Sequence, residues 1–251
     1  NKIFLKGMDL PELENWCKLN NFPKFRAKQL YEWLYCHGTL DVSAMTNIPN
    51  SCTKIIQEQC ILSTLELVSR TVAKNNKTIK FLFKTITGNF IESVSMIDET
   101  KRHTVCISSQ SGCNLGCDFC ATAKMGLLQN LSAGEILDQL IIIRRLTGVV
   151  INNVVYMGMG EPFLNYDNVI KSAGILNNKK GFNISAQKIT ISTVGIVPKI
   201  KRFIEEKNKF GLAISLNASN DLTRNTIMPI NKKWPISDLI NMNKMYVKNN
   251  K

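Results

Sequence analysis

From Thr104 onward the chain repeats one rhythm, a short β-branched or apolar run followed by a helical stretch, and that rhythm excludes most architectures. TVCIS, NVVYM, KITIST and GLAISL are the apolar runs. Consecutive strands joined by helices lie parallel, because a parallel pair needs a crossover that a tight turn cannot supply. The first crossover is SAGEILDQLIIIRRLTG. Ser132 and Glu135 stand in capping-box spacing, Ile136, Leu137, Leu140 and Ile141 share one face, and Gly148 closes the helix. Residues 166–176 and 197–206 supply the next two helices, and two more helical stretches follow, parted around residues 229–235. The predicted class is α/β, with four βα units on a parallel sheet. No repeat or low-complexity tract points instead to a solenoid.

The first hundred residues follow other patterns. Residues 9–62 read as helical, with Pro11 at a helix start and Phe25, Leu30, Trp33 and Leu34 recurring at helical spacing before Gly38. IKFLFKTI and FIESVSMI flank Thr87-Gly88-Asn89, which predicts a β-hairpin. The expected organisation is a helical accessory domain over 1–75, a connecting hairpin over 76–100 and the α/β domain over 101–251.

Thirty-two Lys and Arg against 19 Asp and Glu leave a net charge of +13, a field that attracts polyanions such as nucleic acid, though lysine-rich solubility explains it equally well. The longest apolar run, 140–143, falls far short of the ~20 residues of a membrane span. Asp9, Glu12 and Glu14 interrupt any N-terminal signal segment. A cytoplasmic protein with no membrane contact is expected, and disulfides are not. Of the eight cysteines, Cys17, Cys36, Cys52 and Cys60 read as small buried hydrophobes, whereas Cys106, Cys113, Cys117 and Cys120 fall within fifteen residues.

In parallel α/β sheets ligands gather at the carboxyl ends of the strands. Segments 108–120, 158–162, 192–195 and 215–219, the polar and glycine-bearing stretches, all lie there, so four strand ends point to one rim. Within the first, GCNLGCDFC sets Cys113, Cys117 and Cys120 as C-x3-C-x2-C. Three thiolates could join a fourth ligand on zinc, Cys106 being the nearest spare. Alternatively they hold a [4Fe-4S] cluster, which ordinarily takes four cysteines, so that one iron stays open to a ligand.

C-x3-C-x2-C after the first strand of a (βα) domain resembles the radical S-adenosylmethionine (SAM) enzymes. The ordered set TVCISSQSGCNLGCDFCATAKMG, VVYMGMGEP, ITISTVGIVPKI, LAISLNASND and IMPINKKWPI is similar to the RlmN/Cfr group of radical SAM RNA methyltransferases. FPKFRAKQLYEWLY and the segment 45–49 resemble that group's RNA-binding accessory domain. The resemblance runs from about residue 8 to the end of the chain, and it implies a partial (βα) barrel.

It also implies roles. Cys113, Cys117 and Cys120 would ligate one [4Fe-4S] cluster whose open iron chelates SAM, and an electron delivered by a donor such as flavodoxin would cleave SAM to a 5′-deoxyadenosyl radical. Phe119 would pack on the adenine of SAM, its bland alternative being a core Phe. Gly160, Glu161, Ser192, Ser215, Leu216 and Asn217 match further SAM contacts. Asn stands at 217 where the group usually has His, so a charged role there is lost. Glu92 resembles the group's proton acceptor. Cys106 resembles the cysteine that resolves the covalent protein–RNA adduct.

The implied reaction methylates ring carbon 2 of an adenine in 23S ribosomal RNA, with transfer RNA a second candidate substrate and carbon 8, the Cfr outcome, an alternative. A monomer is expected. A first SAM methylates a cysteine near the C-terminus, and the radical derived from a second activates that methyl group. No cysteine follows Cys120, and the chain starts without Met, so an incomplete chain is expected rather than an inactive relative. The competing class is a non-catalytic RNA-binding module with a structural metal site.

If the charge surplus serves RNA, with Lys24, Arg26 and Lys28 on the accessory domain among the contacts, affinity for an RNA stem-loop should fall steeply from low to physiological salt. The expected slope of log affinity on log salt is about 0.7–0.9 per phosphate neutralised. A flat profile in filter binding would assign the charge to solubility.

Overall fold

The computed structural model describes residues 2–249. The chain opens with β1 (Ile3–Phe4), α1 (Leu10–Leu19), α2 (Phe25–Tyr31), which continues as a π turn over Glu32–Cys36, and α3 (Asn50–Gln59). β2 (Cys60–Ile61) returns parallel to β1. Asp9 and Glu12 form a capping box at the start of α1, with Pro11 in its first turn, so the entry angle is set locally.

β3 (Leu65–Val72), β4 (Thr78–Thr85) and β5 (Phe90–Ile97) then run as an antiparallel meander. The hairpin at Thr87-Gly88-Asn89 forms as its pattern predicts. It does not stand apart as a bridge. β5 pairs antiparallel with β6 (His103–Cys106), so the meander extends the main sheet. β3 carries no clear alternation in its sequence, LELVSRTV. Its register with β4 slips at Leu67/Ser69, and most of its residues are exposed, as suits an edge strand.

Beyond β6 come β7 (Gln110–Cys113), β8 (Gly126–Asn130), α4 (Ala133–Thr147), β9 (Asn153–Tyr156), α5 (Tyr166–Asn177), β10 (Ile189–Thr193), α6 (Val197–Glu205), β11 (Gly211–Ile214), α7 (Asp221–Ile227) and α8 (Ile236–Asn249). The central sheet has seven strands in the order β11-β10-β9-β6-β5-β4-β3, with β6, β9, β10 and β11 parallel. These four follow one another without reversal, which is barrel winding rather than the doubly wound order. The sheet ends at β11 among the described residues, so the fold is a partial (βα) barrel.

Burial alternates along the strands. Val105, Val154, Tyr156, Ile189 and Ile191 are buried in the core, whereas Thr104, Cys106, Val155, Thr190 and Ser192 are half-buried on the opposite, inner face. The sequence of a parallel strand covered on both faces would be continuously apolar. Here the polar residues that interrupt the runs mark the inner face.

α4 is the most enclosed helix: every residue from Ala133 to Ile143 is buried. One side packs on the sheet and the other takes the accessory domain. Gly134 is required at that contact, because a Cβ there would come within 2.5 Å of the Lys6 carbonyl oxygen. Beside it the carboxylate of Asp138 accepts from Lys6 Nζ at 2.5 Å and from both the amide and the hydroxyl of Thr64 at 2.6 Å. Arg144 and Arg145 add bonds to the carbonyls of Tyr35 and Gly38.

Removing one member of a buried pair strands the other charge away from water. Asp138→Ala should therefore destabilise the protein by about 3–5 kcal/mol. Urea unfolding would read it, and a midpoint unchanged from that of the wild-type protein would show that the two parts do not depend on this contact.

Candidate functional site

Ser108, the residue that leaves β6, is held on all its polar groups. The side-chain oxygen of Gln139 accepts from its amide at 2.8 Å and the Gln139 side-chain nitrogen donates to its carbonyl at 2.9 Å. Its hydroxyl donates to the Glu92 carbonyl and accepts from the Met159 amide. From this anchor β7 runs to Cys113 and β8 returns from Gly126, the two antiparallel. The cysteine-bearing loop is thus a tight arm between two short strands, which the sequence pattern does not reveal.

The arm faces a cavity of about 850 Å³, counted out to its open mouth, at the carboxyl ends of the parallel strands. Cys113, Cys117 and Cys120 line it from the arm, Gly158, Gly160 and Glu161 from the loop after β9, Ser192 and Val194 from β10 and its exit, and Ser215 and Asn217 from the exit of β11. The four strand ends that the sequence points to therefore meet at one place.

The Cys113 and Cys117 thiols sense their neighbours. Burial, followed by the neighbouring Cys113 and Cys120, pushes the Cys117 thiol up to about 11, and burial likewise raises Cys113. Thiols raised in this way need a cation to become thiolates. Among the described residues no three His, Cys, Asp or Glu side chains are arranged to hold a single metal ion. Cys113, Cys117 and Cys120 nevertheless share one cavity, so their thiolates could act together on a bound group, and three rather than four protein ligands is the set that leaves one iron of a [4Fe-4S] cluster open.

Glu161 is 2% exposed. Burial pushes its carboxyl up to about 7, opposed by the Val194 amide, the Thr193 hydroxyl and the Phe163 amide. The amides donate to Oε2 and Oε1 at 2.9 and 3.0 Å. Its two oxygens tie the loops after β9 and β10 together, and a cation in the cavity would draw the carboxyl toward its charged form. Gly160 allows this approach, since at φ +96° a Cβ would lie 2.4 Å from the Gln110 side chain, whose oxygen accepts from the Glu161 amide.

The hydroxyls of Ser192 and Ser215 lie 3.2 Å apart across the two strand exits. Asn217 sits at φ +58°, a left-handed conformation that Asn tolerates better than most residues. Phe119 is 59% exposed at the cavity wall, so it is not a core residue. Leu216 is half exposed and lies outside the lining, although its carbonyl accepts from Arg224.

Glu92 and Cys106 also stand outside the cavity wall, both on the inner face of the sheet. Val94 pairs with Cys106, and Glu92, two residues before Val94 on β5, lies one pleat closer to the rim. Its carboxylate meets Lys80 Nζ at 2.8 Å. Burial raises the Cys106 thiol. Sequence reasoning missed Gln110, Gln139 and Arg224, which hold the loops rather than line the opening. For Gln139 a signal existed, since a polar residue in an otherwise apolar helix run must find a partner.

The sequence profile of the Radical SAM superfamily matches residues 107–250, and that of the ribosomal RNA large subunit methyltransferase N-terminal domain matches residues 3–62. The chain is 42% identical over 246 residues to a probable dual-specificity RNA methyltransferase RlmN of Caldicellulosiruptor saccharolyticus, covering 98% of this chain and 71% of that protein. A counterpart of the same description in Dictyoglomus thermophilum is 44% identical over 237 residues, 93% of this chain and 67% of that one. The crystal structure of a radical SAM methyltransferase from Sphaerobacter thermophilus superposes with a TM-score of 0.93 at 39% identity, over 99% of this chain and 73% of that one.

Replacing Cys113, Cys117 or Cys120 with Ala should each abolish iron binding after anaerobic reconstitution. The check is iron analysis together with the broad thiolate-to-iron absorbance of such clusters, and full iron content in all three variants would sink the assignment.

Proposed function

Given that the chain belongs to the RlmN type of radical SAM RNA methyltransferases, we propose that it methylates ring carbon 2 of an adenine in 23S ribosomal RNA, with transfer RNA as a second substrate. The observation that carries this reading is the single cavity on which the three cysteines, Glu161, Ser192, Ser215 and Asn217 converge. That ring carbon is electron-poor and has no nucleophilic lone pair, so ordinary methyl transfer does not reach it. When bound together, a [4Fe-4S] cluster and SAM supply the radical chemistry that such a carbon requires.

The chain's own residues divide the remaining work. Cys113, Cys117 and Cys120 hold the cluster through their thiolates. The carboxylate of Glu161, kept from water, favours a cationic group beside it, as the amino end of SAM is before it docks. The hydroxyls of Ser192 and Ser215 and the amide of Asn217 orient polar groups, and Phe119 offers a ring face at the mouth. Asn217 can donate and accept but carries no charge, so this chain orients its cofactor there by hydrogen bonding alone.

Glu92, on the inner face and one pleat nearer the rim than Cys106, takes the ring proton. The Cys106 thiol closes a disulfide with the sulfur that links protein to base, breaking that sulfur's bond to the linking carbon; the bond's electron pair stays with the carbon, which takes up a proton to become the methyl group and so releases the product. The partner of Cys106 is a methyl-carrying cysteine that these 251 residues do not contain, since none follows Cys120. The net charge of +13 suits both an RNA substrate and an acidic electron donor such as flavodoxin. A cytoplasmic monomer fits this work, and no helix among the described residues is long and apolar enough to cross a membrane.

With iron restored and a reductant present, the 251-residue chain should release 5′-deoxyadenosine from SAM without methylating RNA. A longer version that supplies a downstream cysteine should give 2-methyladenosine. Mass spectrometry of nucleosides from treated 23S RNA decides the matter: methyladenosine from the 251-residue chain alone would overturn the cysteine route, 8-methyladenosine the choice of carbon, and no SAM cleavage the enzyme reading.

A further inference from the structure

Arg224, on α7, is the largest fully buried side chain of the described residues. Among the described residues no carboxylate pairs with its guanidinium. Nη2 donates to the carbonyls of Val194 at 2.6 Å and Ser215 at 3.2 Å, Nε donates to the Leu216 carbonyl at 2.9 Å, and Nη1 donates to Oδ1 of Asn231 at 2.6 Å. Asn231, 1% exposed, is fixed in turn, its amide nitrogen donating to Asp221 and Asn225 at 2.8 Å each. Asp221 also accepts from the Ile236 amide at 2.9 Å. The INKKWP segment, for which the proposed chemistry has no use, thereby acquires a role as the backing of this arginine.

The carbonyls that Arg224 binds belong to the exits of β10 and β11, the segments that carry Ser192, Ser215 and Asn217. Val194 is gripped from both sides, its amide by the Glu161 carboxylate and its carbonyl by the Arg224 guanidinium. The same helix also reaches the cysteine arm, since the Asp118 amide donates to the Ile227 carbonyl at 2.9 Å and buried Met228 lines the cavity. A buried cation costs stability unless every donor is satisfied, and apolar packing would fill this space with less penalty. What apolar packing cannot do is fix three carbonyls from two loops with one rigid planar group. Lysine cannot do so either, because its ammonium is a point charge on a flexible stem.

We propose that Arg224, backed by Asn231, is a positioning residue for SAM: it holds the β10 and β11 exits in one arrangement and in register with the arm that bears the three cysteines. The proposal rests on the cofactor reading above. It assigns Arg224 no contact with SAM.

The test uses the reconstituted 251-residue chain and its Arg224→Lys and Arg224→Met variants, measuring iron content, anaerobic SAM binding by equilibrium dialysis, and amide hydrogen exchange without SAM. Both variants should keep the iron of the parent. Their Kd for SAM should rise about tenfold or more, the scale expected when hydrogen bonds to a charged group are lost. Exchange at the Ser215 amide, which donates to the Thr193 carbonyl at 2.8 Å, should quicken while the core strands stay protected.

Wild-type SAM affinity in Arg224→Lys would overturn the proposal and leave the cofactor reading standing. Loss of affinity in Arg224→Met but not in Arg224→Lys would also overturn it, by showing that charge rather than the fork matters. An unsubstituted chain that takes up iron but binds no SAM would overturn the cofactor reading and the proposal with it. Should the arginine variants fail to fold, Asn231→Ser, which removes the acceptor of Nη1 and leaves the guanidinium, carries the same test. Retained iron with weakened SAM binding supports the proposal, and unchanged SAM binding overturns it.

Discussion

Two adjacent residues on one buried helix tie the molecule together. Asp138 faces outward from α4 and takes three hydrogen bonds from Lys6 and Thr64, at the two ends of the accessory segment. Gln139 faces the sheet and holds Ser93 on β5 and both backbone groups of Ser108. Neither side chain could be left unpaired at such depth without a cost of a few kcal/mol, so both contacts are obligatory once the helix is enclosed. The accessory domain and the start of the cysteine arm are therefore referenced to the same turn of helix.

The site depends on the asymmetry of the sheet. Its outer face is closed by helices and carries Val105, Val154, Ile189 and Ile191, while its inner face is half open and carries Cys106, Ser192 and Glu92. Chemistry is confined to one side because only there can polar groups meet a ligand without first displacing core. At the rim, two buried ionisable groups organise the loops. Glu161 collects amides, Arg224 collects carbonyls, and Val194 lies between them. Each group is satisfied mainly by backbone dipoles and not by the other.

The placement of polar groups also bears on RNA access. Cys106 and Glu92 lie on the inner face but outside the cavity wall, and Phe119 stands exposed at its mouth. Glu92, half exposed there, is paired with Lys80.

By itself the sequence determined what is local. The βα rhythm, the capping box at Ser132, the hairpin at Gly88 and the cysteine spacing each rest on interactions between residues a few positions apart, so they are readable from a short window. The convergence of four strand ends was also legible, because parallel winding leaves no other place for them. Tertiary structure alone decided the rest. It paired β3 as an edge strand, folded the cysteine arm between β7 and β8, and placed Phe119 at the cavity mouth and not in the core. It also buried Lys6 against Asp138, 132 residues away, and brought Arg224 beneath loops 8 to 30 residues distant. The physical reason is desolvation: whether a charge is a solvated surface group or a buried organiser depends on which distant segments cover it.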